Sequence, residues 1–294
     1  MNTPELCAAI YTIAGDIKIG DPFPPSLYSF RELCEAAGAA GYSGIGLLHT
    51  DYERARDSGL QPRDLRAILA DNGLRHFEME FLGGWYASGE ALARSKRSEE
   101  TFFRAADEVG VRYIKGGAEV GNFTRPIEYV RDRFAELADR AVSHGTKVAL
   151  EPSPFSSIRD LDTALSIVGG AGKGGGLLFD IWHVTRCGIP FDSLSKVPIE
   201  RIFGVEIDDA RREAVGDLWT DTIDNRLLPG DGDFDLAGFV RAIDAAGYAA
   251  PITVEVLNKD LRKRPLAEVA RLTFSRSKAA LERARAPAPS AGSG

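Results

Sequence analysis

One pattern recurs along the chain: an amphipathic helix closes on a glycine, and an apolar run follows at once. Those glycines are Gly41, Gly73, Gly110, Gly145 and Gly247. A glycine just past a helix end takes the left-handed conformation that other residues avoid. Short apolar runs bounded by turn residues read as buried strands. They fall at residues 6–11, 43–48, 75–81, 111–115, 147–150, 176–179, 201–207 and 251–256. Helical patterns separate them at 27–40, 62–73, 90–108, 126–143, 159–168 and 236–246, and a last one follows at 266–284. Helix and strand in alternation imply a parallel sheet, because each helix returns the chain to start the next strand in the same direction. Eight rounds close on themselves, so the expected fold class is α/β, a single (β/α)8 TIM barrel over residues 1–285. A doubly wound sheet is the alternative, but its GxGxxG does not follow the first strand. The stretch 286–294, APAPSAGSG, reads as a disordered tail.

Composition enters as exclusion. A net charge of -7 disfavours a nucleic-acid partner, which needs clustered Lys and Arg. No apolar run approaches the roughly 18 residues of a membrane span. The start, MNTPELCAAIYTIAG, lacks a basic region and contains Glu5, so a cytoplasmic protein is expected. Cys7, Cys34 and Cys187 are scattered and match neither a disulfide framework nor a CxxC zinc site. The glycines at 169–176 lack phosphate-loop spacing and precede a strand, so they read as a flexible connector. Residues 210–234 form a long loop, and loops beyond about 12–15 residues are commonly functional.

Four strands end on acids: Glu151, Asp180, Glu206 and Glu255. Any one of them is readily a helix cap or a loop salt bridge. In a parallel barrel, however, all strand ends open on one face, so the four converge. Crowded carboxylates repel unless a cation neutralises them, which points to one divalent metal. Oxygen ligands suit Mn²⁺ or Mg²⁺, with Co²⁺ or Zn²⁺ as substitutes. His183, three residues after Asp180, joins the same face. So do His49 after strand two and Lys115 with Glu119 after strand four, as candidate substrate-binding groups. Trp182 and Trp85 are candidates to wall a ligand ring. His76 and His144 precede strands and belong to the opposite face.

The segments FDIWH, VEIDD, RLLPGDGDFDL and GYAAPITVEV resemble the xylose-isomerase-like sugar isomerase/epimerase superfamily, over about residues 149–256. The resemblance implies a TIM barrel with a divalent metal at its mouth. It places Glu151, Asp180 and Glu255 on ligand positions, His183 on the substrate-facing histidine and Arg226 on a substrate-binding arginine. The family's strand-seven histidine is Glu206 here, which adds a negative charge to be offset by Lys115, Arg226 or a protonated His183. The implied chemistry is proton abstraction beside a carbonyl by Glu151 and Glu255, through an enediolate. That makes an isomerase or epimerase of a small sugar, keto-sugar or inosose. A lyase needs nearly the same residues: it dehydrates an inosose or 3-dehydroshikimate, or eliminates a group from a 3-keto-glycoside. A non-catalytic subunit is a third reading. DNA-repair members of the superfamily need more histidines than the four present. A small polyol or keto-sugar is thus the expected partner, and a homo-oligomer is left open.

Overall fold

The computed structural model describes residues 5–20 and 23–286, so the expected tail beyond Ala286 lies outside the described residues. Eight parallel strands close into a barrel in sequence order. They are β1 Leu6–Ala8, β2 Gly44–Leu48, β3 His76–Leu82, β4 Ile114–Gly116, β5 Val148–Leu150, β6 Gly175–Asp180, β7 Ile202–Ile207 and β8 Ile252–Val254. Pairing of β1 with β8, Cys7 opposite Thr253, completes the ring. The strands are covered by helices outside and by one another inside, and therefore read as apolar runs rather than alternating ones. Every residue of β2 and β6 is buried.

The helices start and stop where their chemistry predicts. Ser29 accepts from the Glu32 amide while Glu32 reaches back to the Ser29 amide, closing a capping box on helix Phe30–Ala40. Gly41 ends that helix at φ 107°. Asp160 and Asp235 cap helices Leu161–Gly169 and Leu236–Ala245 through Thr163 and Gly238 amides. The last helix, Leu266–Arg285, packs mainly on Phe30–Ala40 and Leu236–Ala245.

Several expectations are corrected. The first strand stops at Ala8, because Ile10–Ile13 turns into a short helix. Thr12 anchors that helix to the last strand: its Oγ1 donates to the Val254 carbonyl at 2.9 Å and accepts from the Val256 amide at 2.8 Å. Helices His49–Asp57 and Ile181–Arg186 follow β2 and β6 directly and carry too few residues for a clear period. The long loop at 210–234 contains helix Leu218–Asp224, capped by Asp217. Within the glycine-rich stretch 169–176, Gly174, Gly175 and Gly176 are required by packing rather than by flexibility, while Gly169 and Gly172 face open space. A Cβ on Gly175 would meet the Ala171 Cβ at 2.3 Å, and one on Gly176 would meet the Phe203 ring at 2.7 Å.

Gly44 has the same origin, and there the obstruction is backbone. Its Cβ would stand 2.6 Å from the His76 carbonyl oxygen and 2.5 Å from Cys7 Sγ. Gly44→Ala is therefore expected to destabilise the barrel by about 1–3 kcal/mol through overpacking. A chemical-denaturation midpoint equal to that of the unsubstituted protein would contradict this.

Candidate active site

The strand register assembles the site. Asp180, the last residue of β6, lies opposite Glu206 of β7. Glu151 and Glu255 stand one residue beyond β5 and β8. Oxygens of Glu151, Asp180, Glu206 and Glu255 all lie within 4.8 Å of one another, and all four residues are buried. Glu80 joins from β3 and Asp208 from just past β7; both are buried.

Two buried cations thread this acid cluster. Lys115 Nζ lies 2.8 Å from Glu206 Oε2, 2.7 Å from Glu255 Oε1 and 3.2 Å from Glu80 Oε2. Arg226 Nη1 lies 2.6 Å from Asp180 Oδ2, 2.6 Å from Asp208 Oδ2 and 3.3 Å from Glu255 Oε2. Its other nitrogens donate to Thr222 Oγ1, and its guanidinium sits 5.2 Å from the centre of the Trp182 ring. Arg226 Nη2 is also 3.3 Å from His183 Nε2. A guanidinium only donates, so His183 accepts at Nε2 and carries its proton on Nδ1. Burial, and then the Arg226 charge, push the His183 pKa well below its ordinary value, so the imidazole is neutral.

The acids outnumber their partners, and their proton affinities rise. Burial pushes Glu151 up to about 8, opposed by Lys115 and reinforced by Glu255 and Asp180. Burial likewise pushes Glu80 up to about 7, opposed by Lys115. Glu206 and Asp208 also rise well above their ordinary values through burial. The chief added cause is Glu255 for Glu206 and Asp180 for Asp208. Four buried atoms of the cluster lack any hydrogen-bond partner: Tyr11 Oη, Glu151 Oε1, His183 Nδ1 and Asp208 Oδ1. Oxygen-only donors this close, with an orphaned carboxylate oxygen among them, fit a divalent cation.

A cavity of about 410 Å³ opens above the cluster. Tyr11, Glu80, Lys115, Glu151, His183, Arg226 and Glu255 all line it. The candidate metal ligands and the candidates His183, Lys115 and Arg226 are thus brought together. His49 is not among the lining residues. It starts the helix after β2 and packs edge-on against Phe23 and Phe102, with Nε2 3.4 Å from Ser98 Oγ. Trp182 and Trp85 are also withdrawn from the cavity. Their indole N–H groups are used by Asp221 at 3.0 Å and the Gly117 carbonyl at 2.8 Å. Phe155 and Trp219 line it instead.

Sequence reasoning missed Glu80 and Tyr11. Glu80 had a signal: in HFEMEFL, Glu78 and Glu80 are two apart and so share one strand face, inside a barrel. Asp209, next to the buried Asp208, serves the loop instead. It accepts from the amides of Ala210, Gly230 and Phe234, and a Cβ on Gly232 would come 2.2 Å from its Oδ1. The segment PGDG is thereby folded around one carboxylate.

Fold and cluster together define a TIM-barrel scaffold of the metal-binding type, with its polar groups at the C-terminal mouth. The chain belongs to the xylose isomerase-like TIM barrel family, whose model matches residues 34–278. A 3-dehydroshikimate dehydratase of Pseudomonas aeruginosa is 29% identical over 239 residues. That match covers 80% of this chain but 37% of the dehydratase. An inosose isomerase of Bacillus velezensis is 28% identical over 240 residues, 79% of this chain and 84% of that protein. Among solved structures, an IOLI protein with a binding zinc atom superposes with a TM-score of 0.79 at 20% identity, covering 96% of this chain and 100% of that one. At such identity the likeness speaks for the fold. Among the described residues no helix is long and apolar enough to cross a membrane.

The upward shifts have a consequence for stability. From an ordinary value of 4.5 up to about 7 for Glu80 and about 8 for Glu151, the folded protein retains protons that the unfolded chain has released. Folding then binds protons, so metal-free protein should lose stability as pH rises through that window. A divalent cation held by the cluster would displace the Glu151 proton and should flatten the decline. Glu151→Gln should make the metal-free decline shallower. Melting temperatures of metal-free protein that stay level between about pH 5 and 8 would show that these carboxyls do not hold protons in the fold.

Proposed function

We propose that the protein is a divalent-metal-dependent isomerase or epimerase of a small keto-polyol, such as a keto-sugar or inosose. The observation that carries this is Glu151: a buried carboxyl at the cavity floor, with Oε1 unpartnered and a proton affinity raised toward neutrality. A carboxylate in that setting is a competent base for a carbon-bound proton. Glu255 differs, since Lys115 and Arg226 engage both of its oxygens. Glu151, Asp180, Glu255 and Glu206 are the residues that would hold the metal, with Mn²⁺ or Mg²⁺ suited to their oxygens. When bound, the ion supplies positive charge that polarises the carbonyl and favours ionisation of the neighbouring C–H bond.

The chain's own groups then divide the work. Glu151 removes the proton beside the carbonyl, and the electron pair moves onto the carbonyl oxygen, giving an enediolate. Return of the proton to the adjacent carbon, with the hydroxyl proton passing from one enediolate oxygen to the other, completes isomerisation. Delivery of a different proton to the opposite face by Glu255, which first takes it from the Lys115 ammonium 2.7 Å away, completes epimerisation; the proton on Glu151 then passes to solvent and Lys115 is reprotonated. His183 presents a neutral Nδ1–H, suited to a substrate oxygen. Lys115 and Arg226 keep the carboxyls together at a separation their repulsion would otherwise oppose.

A dehydratase is the second reading, favoured by the match to the Pseudomonas enzyme. There the same enediolate expels a β-hydroxyl, which leaves as water after taking a proton. Glu80, raised to about 7 and facing the cavity, is suited to provide that proton.

Incubating inosose and keto-sugars in D₂O with Mn²⁺-loaded protein should place deuterium beside the carbonyl. Glu151→Gln should slow exchange by about 10²–10⁴-fold, with metal content checked in the same samples. A product of unchanged mass in ordinary water identifies isomerisation, and loss of one water identifies dehydration. Turnover of a substrate without any carbon–hydrogen cleavage would defeat both readings.

A further inference from the structure

The cavity has two unlike halves. Its floor is the charged cluster. Its upper walls are apolar: Ile19, Phe23, Phe81, Val120, Phe155 and Trp219 all line it. Val120 is 83% exposed and Trp219 45%, so two large apolar side chains stand at the mouth rather than in a core. Three hydroxyls stand among them, and each already has a partner in the protein, with Ser153 and Thr222 keeping an O–H free to donate. Ser153 Oγ accepts from the Phe155 amide at 3.3 Å. Ser156 Oγ donates to Ile158 O at 2.9 Å and accepts from the Ile158 amide at 3.0 Å. Thr222 Oγ1 accepts two hydrogen bonds from Arg226. A polyol placed in the upper half would lose water and find few partners there, which is costly.

The wall is built, not loose. Val120 pairs with Ser156 in an antiparallel bridge, and the Gly121 amide donates to the Phe155 carbonyl at 2.7 Å. Phe155 stacks on buried Trp182, with centroids 5.9 Å apart and planes at 12°, and meets Trp219 edge-on at 5.6 Å. The three rings come from the loops after β5, β6 and β7 and brace one another. A volume of about 410 Å³ lies in the range of pockets that take drug-sized ligands, and exceeds what a bare sugar fills.

Resting on the keto-polyol reading above, we propose that the substrate is a keto-polyol carrying a planar apolar group, of the aryl glycoside class. The polyol ring meets the acid cluster, and the aryl group lies against the wall formed by Phe155 and Trp219, with Phe81 also lining the cavity. Continuity supports this occupant: one cavity contains both the reacting groups and the apolar wall, so a single molecule spans them. The apolar half also excludes water from above the cluster once filled, which strengthens every charge interaction beneath it.

The test is equilibrium titration of full-length, Mn²⁺-loaded protein with the methyl and phenyl 3-keto-β-D-glucosides. The phenyl compound should bind at least about tenfold more tightly, as expected for burying one aromatic ring. The ratio should collapse toward one in Trp219→Ala and in Phe155→Ala. Trp219 is surface-exposed, so its replacement should leave folding intact even if that of Phe155 does not. Equal affinity for the two compounds, or a ratio untouched by Trp219→Ala, would overturn the aryl assignment and leave the keto-polyol reading standing. Binding of neither compound, together with absence of deuterium exchange on any keto-polyol, would overturn both.

Discussion

The barrel mouth confines six buried carboxyl groups, Glu80, Glu151, Asp180, Glu206, Asp208 and Glu255, around two buried cations, Lys115 and Arg226. Such a cluster is not a stabilising feature. Desolvating a carboxylate costs several kcal/mol, and mutual repulsion adds to it. The fold tolerates the cluster because the eight-stranded ring is closed and buttressed by helices that bury their apolar faces elsewhere. The remaining imbalance is met by proton uptake in the metal-free state, and a dication relieves it in the loaded state. Much of the local architecture answers to that imbalance.

Arg226 illustrates the point. Sequence resemblance suggests a substrate-binding arginine, yet its guanidinium is 2% exposed and held by Asp180, Asp208, Glu255 and Thr222. Its position depends in turn on the loop that Asp209 gathers. The Leu227 amide donates to the Asp209 carbonyl, and Asn258 Nδ2 donates to the Arg226 carbonyl at 2.8 Å. The segment RLLPGDGD thus delivers a charge to the cluster and then turns sharply away. Glu206, where a histidine is customary in the resembling family, is offset by Lys115 at 2.8 Å. The extra acid and the lysine are best understood as one unit.

The barrel was legible because its signal is periodic: each glycine-ended helix and each buried strand repeats the same chemistry. The four strand-end acids were legible for the same reason, since topology alone makes them converge. Short elements were not legible. Helices such as Ile10–Ile13 and Leu218–Asp224 have too few residues to display a period and are fixed by tertiary hydrogen bonds, as Thr12 shows. Glu80 was hidden inside an apolar-looking strand, where only alternation with Glu78 marks it. The aromatic lining was misassigned to Trp182 and Trp85. Sequence proximity to a strand end does not reveal that their indole N–H groups are already claimed by Asp221 and Gly117. His49 failed similarly, because the helix that begins there turns its ring toward Phe102.

Below the mouth cluster, the barrel interior holds another polar layer, and the contrast between the two locates function. In the lower layer Glu78 receives Arg112 Nη1 at 2.6 Å and Thr253 Oγ1 at 2.8 Å. Arg112 also donates to the Phe203 carbonyl at 3.1 Å and Tyr248 Oη at 2.7 Å. Glu78 and Arg112 have no orphaned side-chain atom, although Tyr113 Oη, on the ring that Arg112 covers, has no hydrogen-bond partner, and the network ties β3, the segment entering β4, β7 and β8 together. The upper layer uses the same residue types but leaves Tyr11, Glu151, His183 and Asp208 each with an unpaired atom. One sequence evidently is able to satisfy a buried acid–arginine layer within this barrel. Its failure to do so two residues further along β3 is therefore a property of the site. Those unpaired atoms are what a bound cation and a substrate have to satisfy, and they give binding its specific geometry.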